Sequence, residues 1–196
     1  MKRFLDVVVS GLGLLVLSPL IVLLAVWVRC DSPGPAIFRH RRVGRHGQPF
    51  SVLKFRTMAH ERAGGGPQVT TANDARITRV GRLLRRTKLD EVPQLLNVLT
   101  GDMSLVGPRP EVPRYVAMYP EAARQEILGV RPGLTDLASI EFRNEQDLLA
   151  LAPDPEWIYV NEIMPRKIAL CRQYVRERSM LLDLRILART VLAVMR

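Results

Sequence analysis

The sequence predicts an α+β fold that is mostly helical, and three observations support this. The chain has 196 residues, about one domain, and its 47% hydrophobic content can fill a core. Two runs with strand-like alternation, 36–43 and 48–55, flank a Gly-containing turn and predict a β-hairpin. Most other periodic segments repeat apolar residues at helical spacing. A single domain with one small hairpin and many helices is therefore expected.

The first element is an uncharged apolar segment, residues 7–28, which is long enough to cross a membrane. Lys2 precedes it and Arg29 follows it, so the positive-inside rule favours both flanks in the cytoplasm. Pro19 lacks a backbone N–H, which predicts a kink beside Ser18. A re-entrant helix that breaks at Ser18-Pro19 satisfies both observations. A spanning helix merely kinked there fits the residues equally well, and a buried core helix is the soluble alternative.

Helical periodicity dominates the rest of the chain. The Gly-rich stretch 59–73 predicts a loop, and Thr87 is predicted to cap the second of two helices that follow it. The final helix carries apolar side chains beside arginines, so it either lies on a membrane surface or packs as an amphipathic core helix. The predicted helices cover 77–86, 87–99, 111–119, 121–128, 157–178 and 180–195, with an extended segment over 134–142.

The charge of the chain limits its partners. The formal net charge is +10, which predicts attraction to nucleic acid, anionic lipid headgroups or phosphorylated small molecules. Aromatic residues make up only 6% and the basic residues are scattered, which argues against nucleic acid. Cys30 and Cys171 lie far apart outside any C-x-x-C pattern, which favours two free thiols in a reducing compartment and no zinc site.

Two adjacent carboxylates, Asp90 and Glu91, are the strongest candidates for chemistry. They are expected in the first turn of a helix after Thr87, where free N–H groups and the helix dipole favour an ionised carboxylate. An ionised carboxylate can act as a nucleophile. Adjacent helical residues point about 100° apart, so one carboxylate could attack while the other holds Mg²⁺. A capping acidic pair within a basic surface is the alternative.

Several cationic side chains lie at strand ends or in loops around this pair. Arginine forks match phosphate geometry, so together these residues predict a polyphosphate site opposite the carboxylates. Taken singly, each is more often a solvated surface charge. The candidates for substrate binding are Lys54, Arg56, Arg85, Arg109 and Arg143.

Longer motifs in the chain resemble those of a known family. The resemblance covers essentially the whole chain, in order, and its two longest motifs are highly specific. The family is the bacterial sugar transferases, the monotopic phosphoglycosyl transferases that start glycan assembly on a polyprenol carrier, here in their compact single-domain form. The motifs are Asp31-Ser32-Pro33-Gly34-Pro35, Arg42-Val43-Gly44, Lys54-Phe55-Arg56-Thr57-Met58, Leu89-Asp90-Glu91-Val92-Pro93-Gln94-Leu95 and Gly101-Asp102-Met103-Ser104-Leu105-Val106-Gly107-Pro108-Arg109-Pro110.

The resemblance implies a reaction and roles for individual residues. Asp90 would attack the β-phosphate of a UDP-sugar and expel UMP, and a polyprenol phosphate such as undecaprenol phosphate would then take the phosphosugar. Mg²⁺ would neutralise the diphosphate, with Glu91 as the candidate ligand. Arg85 and Arg143 would hold the phosphate of the intermediate, and Arg109 would contact the nucleotide.

The resemblance also implies an architecture and a location. Its N-terminal helix is re-entrant and broken at a Ser-Pro pair that Ser18-Pro19 matches, which favours the re-entrant alternative. Residues 1–30 would form this membrane helix and 31–196 a cytoplasmic catalytic domain, joined as one unit. The expected location is the cytoplasmic face of a bacterial inner membrane, and a homo-oligomer is compatible with the sequence.

Two departures from the family pattern concern substrate choice. Residues 136–144 differ from the family's frequent Gly-Trp-Ala-Gln-Val-Asn-Gly-Arg-Asn, although Arg143 and Asn144 persist. His40 stands where glutamine is common. These departures put the sugar specificity in doubt more than the type of reaction.

The sequence leaves two alternative functions open. A membrane-tethered basic protein that binds anions without catalysis would depend on many Lys and Arg residues and not on Asp90. An anchored phosphohydrolase with the same dyad would release sugar phosphate into water and need no lipid acceptor.

Overall fold

A computed structural model of the chain describes residues 1–59, 71 and 74–195, and it confirms the α+β fold with a predominance of helix. The long C-terminal helices and the hairpin lie close to their predicted positions. The helices are α1 (Lys2–Asp31), α2 (Arg79–Thr87), α3 (Gln94–Thr100), α4 (Pro113–Val116), α5 (Glu121–Leu128), α6 (Leu137–Glu141), α7 (Glu145–Ala150), α8 (Pro155–Ile158), α9 (Met164–Glu177) and α10 (Met180–Met195). The strands are β1 (Ile37–Val43), β2 (Pro49–Phe55), β3 (Ser104–Val106) and β4 (Gly133–Thr135).

The apolar helix α1 is long and apolar enough to cross a membrane. Its 30 residues form one helix with Pro19 in its interior, so the Ser18-Pro19 pair can bend the helix without ending it. The hydroxyl of Ser18 explains this, because it donates to the Leu15 carbonyl at 2.7 Å. That carbonyl is the one that an N–H on Pro19 would have bonded, so Ser18 supplies the missing donor.

Helix α1 packs one face on the domain and exposes the other. A side chain on Gly13 would meet Leu95 of α3 at 3.3 Å, and Leu24 and Val28 are buried in a cluster with Leu84 of α2. The opposite face shows large apolar side chains to the outside, among them Leu15, Val16, Val22 and Leu23. A soluble core helix would not leave such a face open, so α1 is suited to lipid on one side and protein on the other.

The predicted hairpin is confirmed as the antiparallel pair β1–β2, in register from Ile37 opposite Phe55 to Val43 opposite Pro49. Its turn is closed by His46 and Gly47, both with positive φ. Helix α3 is fixed along β2 by Asn97, whose amide donates to the Ser51 carbonyl and accepts from the Leu53 N–H, each at 2.9 Å. The hairpin and α3 therefore form one rigid unit.

A second, parallel pair joins β3 to β4. Two glycines allow the backbone after β3 to approach the backbone at the start of β4 closely. A Cβ on Gly133 would lie 2.1 Å from the Gly107 nitrogen, and a Cβ on Gly107 would lie 2.6 Å from the Arg131 carbonyl oxygen. No larger residue fits at either position. The segment after β3 is thereby held against the segment that leads into α6.

Two sequence predictions about local structure are wrong. Residues 134–142 are extended only to Thr135, since the Asp136 side chain accepts from the Ser139 N–H at 2.7 Å and starts α6. Thr87 does not cap a helix start, because it is the last residue of α2 and its hydroxyl donates back to the Leu83 carbonyl at 2.9 Å.

The predicted loop over 59–73 lies largely outside the described residues, as does His60. The interfacial role predicted for the final helix is compatible with α10, which exposes Leu184, Val191 and Leu192 while burying Ile186 and Asp183. The membrane surface itself is untested by the fold.

Candidate active site

The two candidate carboxylates lie in a tight turn between α2 and α3. Lys88 follows the end of α2 with a positive φ of 58°, and Leu89–Glu91 form a single 3₁₀ turn before Pro93, which caps the start of α3. The expected first helical turn is therefore replaced by a bend. This bend directs the chain past β2, so that Asp90 and Glu91 lie beside cations from three other segments.

Glu91 is held by two of the predicted cations. The Lys54 ammonium donates to Glu91 Oε1 at 2.8 Å, and the Arg109 guanidinium bonds both carboxylate oxygens, with NH1 3.1 Å from Oε2. Burial alone would raise the pKa of Glu91, but Arg109 and Lys54 outweigh it and hold that pKa far below its usual range. Glu91 is thus a permanently charged, fixed carboxylate.

Asp90 has the opposite environment. It is 7% exposed and accepts no hydrogen bond from any residue that the structure describes. Burial raises the pKa of Asp90, against the opposing effect of the nearby Lys54. Two neighbouring carboxylates whose pKa values are shifted in opposite directions are typical of groups with separate chemical tasks. The unpaired oxygens of Asp90 are free to react, whereas those of Glu91 are occupied.

Hydrogen bonds from Arg109 to other segments hold its loop in place. The backbone N–H of Arg109 donates to the buried Asp136 carboxylate at 3.1 Å, and its guanidinium also donates to the Leu134 carbonyl at 3.3 Å. The flanking residues Pro108 and Pro110 fix the backbone on both sides. A small pocket of about 20 Å³, lined by Gly44, Pro108, Tyr119 and others, lies beside this loop.

Arg85 approaches the turn from α2. Its Nε donates to the Thr57 hydroxyl at 2.8 Å, while its buried NH1 has no partner among the described residues. Burial lowers the pKa of Arg85, and the nearby carboxylate of Asp90 opposes that shift. The unused N–H groups of Arg85 can donate to a phosphate oxygen, which would then be the missing partner of this guanidinium beside the unpaired carboxylate.

Neither of the other two predicted arginines forms a hydrogen bond or ion pair with the dyad among the described residues. Arg56 is buried, and its guanidinium donates to the carbonyls of Val28, Ser32 and Pro35, where it closes the C-terminal end of α1. Arg143 lies in the turn between α6 and α7 and pairs with no described carboxylate. Of the five cations predicted to bind substrate, Lys54 and Arg109 bond Glu91 and Arg85 lies near Asp90, whereas the role of Arg143 stays a prediction.

Two carboxylates near the site, the buried Asp136 and the partly buried Glu111, were not anticipated as parts of it. Asp136 holds the Arg109 backbone, and its N-cap signal, an Asp three residues before Ser139, could have revealed α6. Glu111 pairs with Arg42 at 2.6 Å and accepts from the Tyr159 hydroxyl at 2.5 Å. No local sequence pattern indicates that pairing, because it joins three distant segments.

The donor set is compatible with Mg²⁺. The described residues contain no cluster of three or more His, Cys, Asp or Glu side chains that could form a complete protein cage. Mg²⁺ commonly needs only one or two carboxylates, because waters and substrate phosphates complete its six positions. Asp90 and Glu91 can supply that number, although Glu91 would share its oxygens with two cations.

Comparison with known proteins identifies the family of the chain. The family model described as bacterial sugar transferase matches residues 1–196. A UDP-glucose:undecaprenyl-phosphate glucose-1-phosphate transferase of Caulobacter vibrioides is 46% identical, over 97% of this chain and 68% of its own length. A protein of the same name in Escherichia coli is 40% identical over 97% of this chain, which spans only 39% of that relative. The exopolysaccharide production protein ExoY of Rhizobium meliloti is 36% identical, over 98% of this chain and 84% of its own length.

Proposed function

The chain belongs to the bacterial sugar transferase family, and on that basis we propose that it transfers a sugar 1-phosphate from a UDP-sugar to polyprenol phosphate and releases UMP. One observation carries the proposal: a buried, unpaired Asp90 lies next to a fixed Glu91 within a group of three cations. The names of the Caulobacter and Escherichia relatives state the same donor and acceptor classes for those proteins.

In the proposed first step, Asp90 is the nucleophile. A carboxylate oxygen of Asp90 forms a bond to the β-phosphorus, and the bond from that phosphorus to the bridging oxygen breaks. UMP leaves with the electron pair, and a phosphosugar–aspartyl enzyme remains. Burial raises the reactivity of Asp90 by removing water from its oxygens, and the unpaired state leaves those oxygens free to approach phosphorus.

In the second step, an oxygen of the polyprenol phosphate attacks the same phosphorus. The Asp90–phosphorus bond breaks and the carboxylate is restored, giving polyprenol diphosphate sugar. Because the two substrates react in turn with one carboxylate, they need not occupy the site together. This is a ping-pong mechanism.

The cations stabilise the charge that moves during both steps. Arg85 offers its unused NH1 to the transferring phosphoryl group, and Lys54 and Arg109 keep Glu91 ionised and in place. Glu91, with Asp90, would hold Mg²⁺, which when bound neutralises negative charge on the diphosphate. Arg109 is the residue expected to contact the nucleotide.

The contacts of α1 support the re-entrant topology. At its beginning, Lys2 pairs with Asp183 of α10 at 2.5 Å and the buried Asp6 accepts from the Leu105 N–H at 3.0 Å. At its end, Asp31 accepts from the Val80 N–H of α2 at 3.3 Å. Both ends of α1 are therefore bound to one compact domain, and a bilayer about 30 Å thick cannot lie between them.

We propose that α1 enters the cytoplasmic face of the inner membrane and returns to it. Its outward apolar face would contact lipid, while its ends stay with the domain at the interface. This arrangement places the dyad where a lipid-borne phosphate and a water-soluble sugar nucleotide can both reach it.

The reaction is tested by UMP release from purified full chain in detergent, with a panel of UDP-sugars, Mg²⁺ and undecaprenol phosphate. We expect sustained UMP release only when the lipid is present, and none from Asp90→Asn. Asp147→Asn on α7 is the matched control and should retain activity. Sustained release without lipid would instead indicate the phosphohydrolase, and folded protein inactive with every donor would indicate an anion-binding protein.

A further inference from the structure

We propose that Phe38 and His40 of β1 form the subsite for the sugar ring of the donor, and that they determine which sugar is accepted. This inference rests on the proposed function and adds a substrate-recognition role to residues outside the dyad and its cations. It follows from the register of the hairpin, the exposure of one ring and the hydrogen bonding of the other.

The hairpin register places both residues on the face that carries Lys54. Phe38 lies directly opposite Lys54, and His40 lies opposite Val52. Directly opposed residues in an antiparallel pair point to the same side, with Cβ atoms about 5 Å apart, and diagonal neighbours lie at about 7–8 Å. Since the Lys54 ammonium bonds Glu91 at 2.8 Å, this face of β1 borders the dyad.

Phe38 offers an open aromatic surface at that border. Phe38 is 46% exposed. Its ring contacts the imidazole of His40, with centroids 5.5 Å apart and planes inclined by 53°. The two rings together form a small surface next to Lys54, which is called the shelf below. The apolar C–H face of a hexose is a suitable partner for such a surface.

His40 supplies a polar group beside this surface. Arg42 donates to its Nδ1 at 3.3 Å, and burial, with Arg42 and Lys54, lowers the pKa of His40 to about 4. The ring is therefore neutral near pH 7, and a neutral imidazole that accepts at Nδ1 carries its hydrogen on Nε2. His40 thus has one hydrogen-bond donor left for a ligand hydroxyl or carbonyl.

Arg42 differs from these two neighbours. It lies on the same face of β1, but its guanidinium is committed to Glu111 at 2.6 Å. Phe38 and His40 are consequently the β1 side chains on this face that are not held by a carboxylate. An aromatic surface with an adjacent neutral donor fits a sugar ring better than it fits a phosphate, which would need a charged partner.

The covalent mechanism gives a reason for the sugar to lie here. In the phosphosugar–aspartyl enzyme the sugar is one oxygen away from the phosphorus on Asp90. Lys54 is close enough to both carboxylates to influence the pKa of each. Side chains beside Lys54 are therefore in reach of the sugar in both half-reactions.

A polyprenol chain is the other apolar group that could use Phe38, and the two occupants predict different kinetics. A residue that contacts the sugar changes the ratio of kcat/KM between two donors, and changes UMP release in the first half-reaction. A residue that contacts the lipid changes the KM for undecaprenol phosphate and leaves the donor ratio unaltered.

The experiment compares His40→Gln and Phe38→Leu with the parent, using UDP-glucose, UDP-galactose and UDP-N-acetylglucosamine. Arg41→Gln is the matched control, because Arg41 is the next residue on β1 and points to the opposite face. UMP release in a single turnover without lipid reports the first half-reaction, and turnover with undecaprenol phosphate reports the whole reaction.

We expect each test variant to change the ratio of kcat/KM between two of these donors by about tenfold, the usual effect of one contact in a specificity pocket. The control should keep the parent ratio. Equal loss with all donors, or a change confined to the KM for the lipid, would overturn the assignment of this shelf to the sugar. If the parent itself releases no UMP from any donor, the proposed function fails instead.

Discussion

Exchanging each dyad carboxylate for its amide should have opposite effects on stability, although the two residues are adjacent. Glu91→Gln removes the carboxylate that pairs with the side chains of Lys54 and Arg109, and leaves two partly buried cations without an ion-pair partner among the described residues. Asp90→Asn removes a buried charge that accepts no hydrogen bond from the described residues. The first change should therefore destabilise the fold, and the second should not.

The expected magnitude follows from the exposure of the partners. Removing one member of a buried ion pair costs about 3–5 kcal/mol. The Arg109 side chain is 37% exposed and partly screened by water, so the lower end, about 3 kcal/mol, applies to Glu91→Gln. For a chain of this size that corresponds to a Tm lower by about 6–12 °C.

Asp90→Asn should have a Tm equal to or above that of the parent. The pKa of Asp90 is raised in the folded state, so the folded protein binds the proton more tightly than the unfolded chain does. The ionised form therefore lowers stability as pH rises through that raised pKa, and at neutral pH the amide removes this penalty.

The assay is thermal unfolding of the full chain in detergent at neutral pH, together with UMP release. Both variants should lose turnover, but only Glu91→Gln should lose stability. Asp147→Asn serves as the control for both measurements. Equal destabilisation by the two amides would refute the distinction between a fixed and an unpaired carboxylate.

Four further results are expected. UMP release should decline on the acid side as pH falls through the raised pKa of Asp90, and Arg85→Gln should move that decline to higher pH because a cation that lowers the pKa is lost; a pH profile of single-turnover rates checks this. EDTA should stop UMP release and added Mg²⁺ should restore it, as measured by titration of the metal; undiminished release in EDTA would exclude a metal role for the dyad. Asp6→Ala should lower stability by about 2–3 kcal/mol, since it leaves the buried Leu105 N–H and Ser104 hydroxyl unpaired; denaturant unfolding measures the loss, with the exposed Asp147→Ala as its control. Tags at the two chain ends should both be protease-accessible from the cytoplasmic side of inverted vesicles; a protected N-terminal tag would contradict the re-entrant helix.

Prediction from sequence succeeded where local pattern and tertiary packing agree. Helix α10 and the β1–β2 hairpin have strong periodicity, and both lie close to their predicted bounds. The segment after Asp136 did not follow its pattern, because one capping side chain was enough to start α6. At Pro19 the helix continues because the neighbouring Ser18 hydroxyl supplies a donor for the Leu15 carbonyl.

In the candidate site, too, some features could be predicted from local sequence and others depend on tertiary contacts. Asp90 and Glu91 were identified from their adjacency and their cationic surroundings, and Lys54, Arg85 and Arg109 do lie around them. Which of the two carboxylates is paired depends on contacts between residues 18 to 37 positions apart, which no local pattern specifies. Arg56 was misassigned for a related reason, since an arginine that caps a distant helix end has the same local signal as one that binds phosphate.

The anchoring of Lys2 also sets an order of events during synthesis. Its partner Asp183 is 181 positions later, so the first helix leaves the ribosome long before its anchor exists. The buried Asp6 of the same helix bonds the Leu105 N–H, so the start of the helix can be held by the middle of the chain first, and the Lys2–Asp183 pair is the last of these contacts to form. A chain that ends before residue 183 should therefore keep the Asp6 contact and lack the Lys2 ion pair.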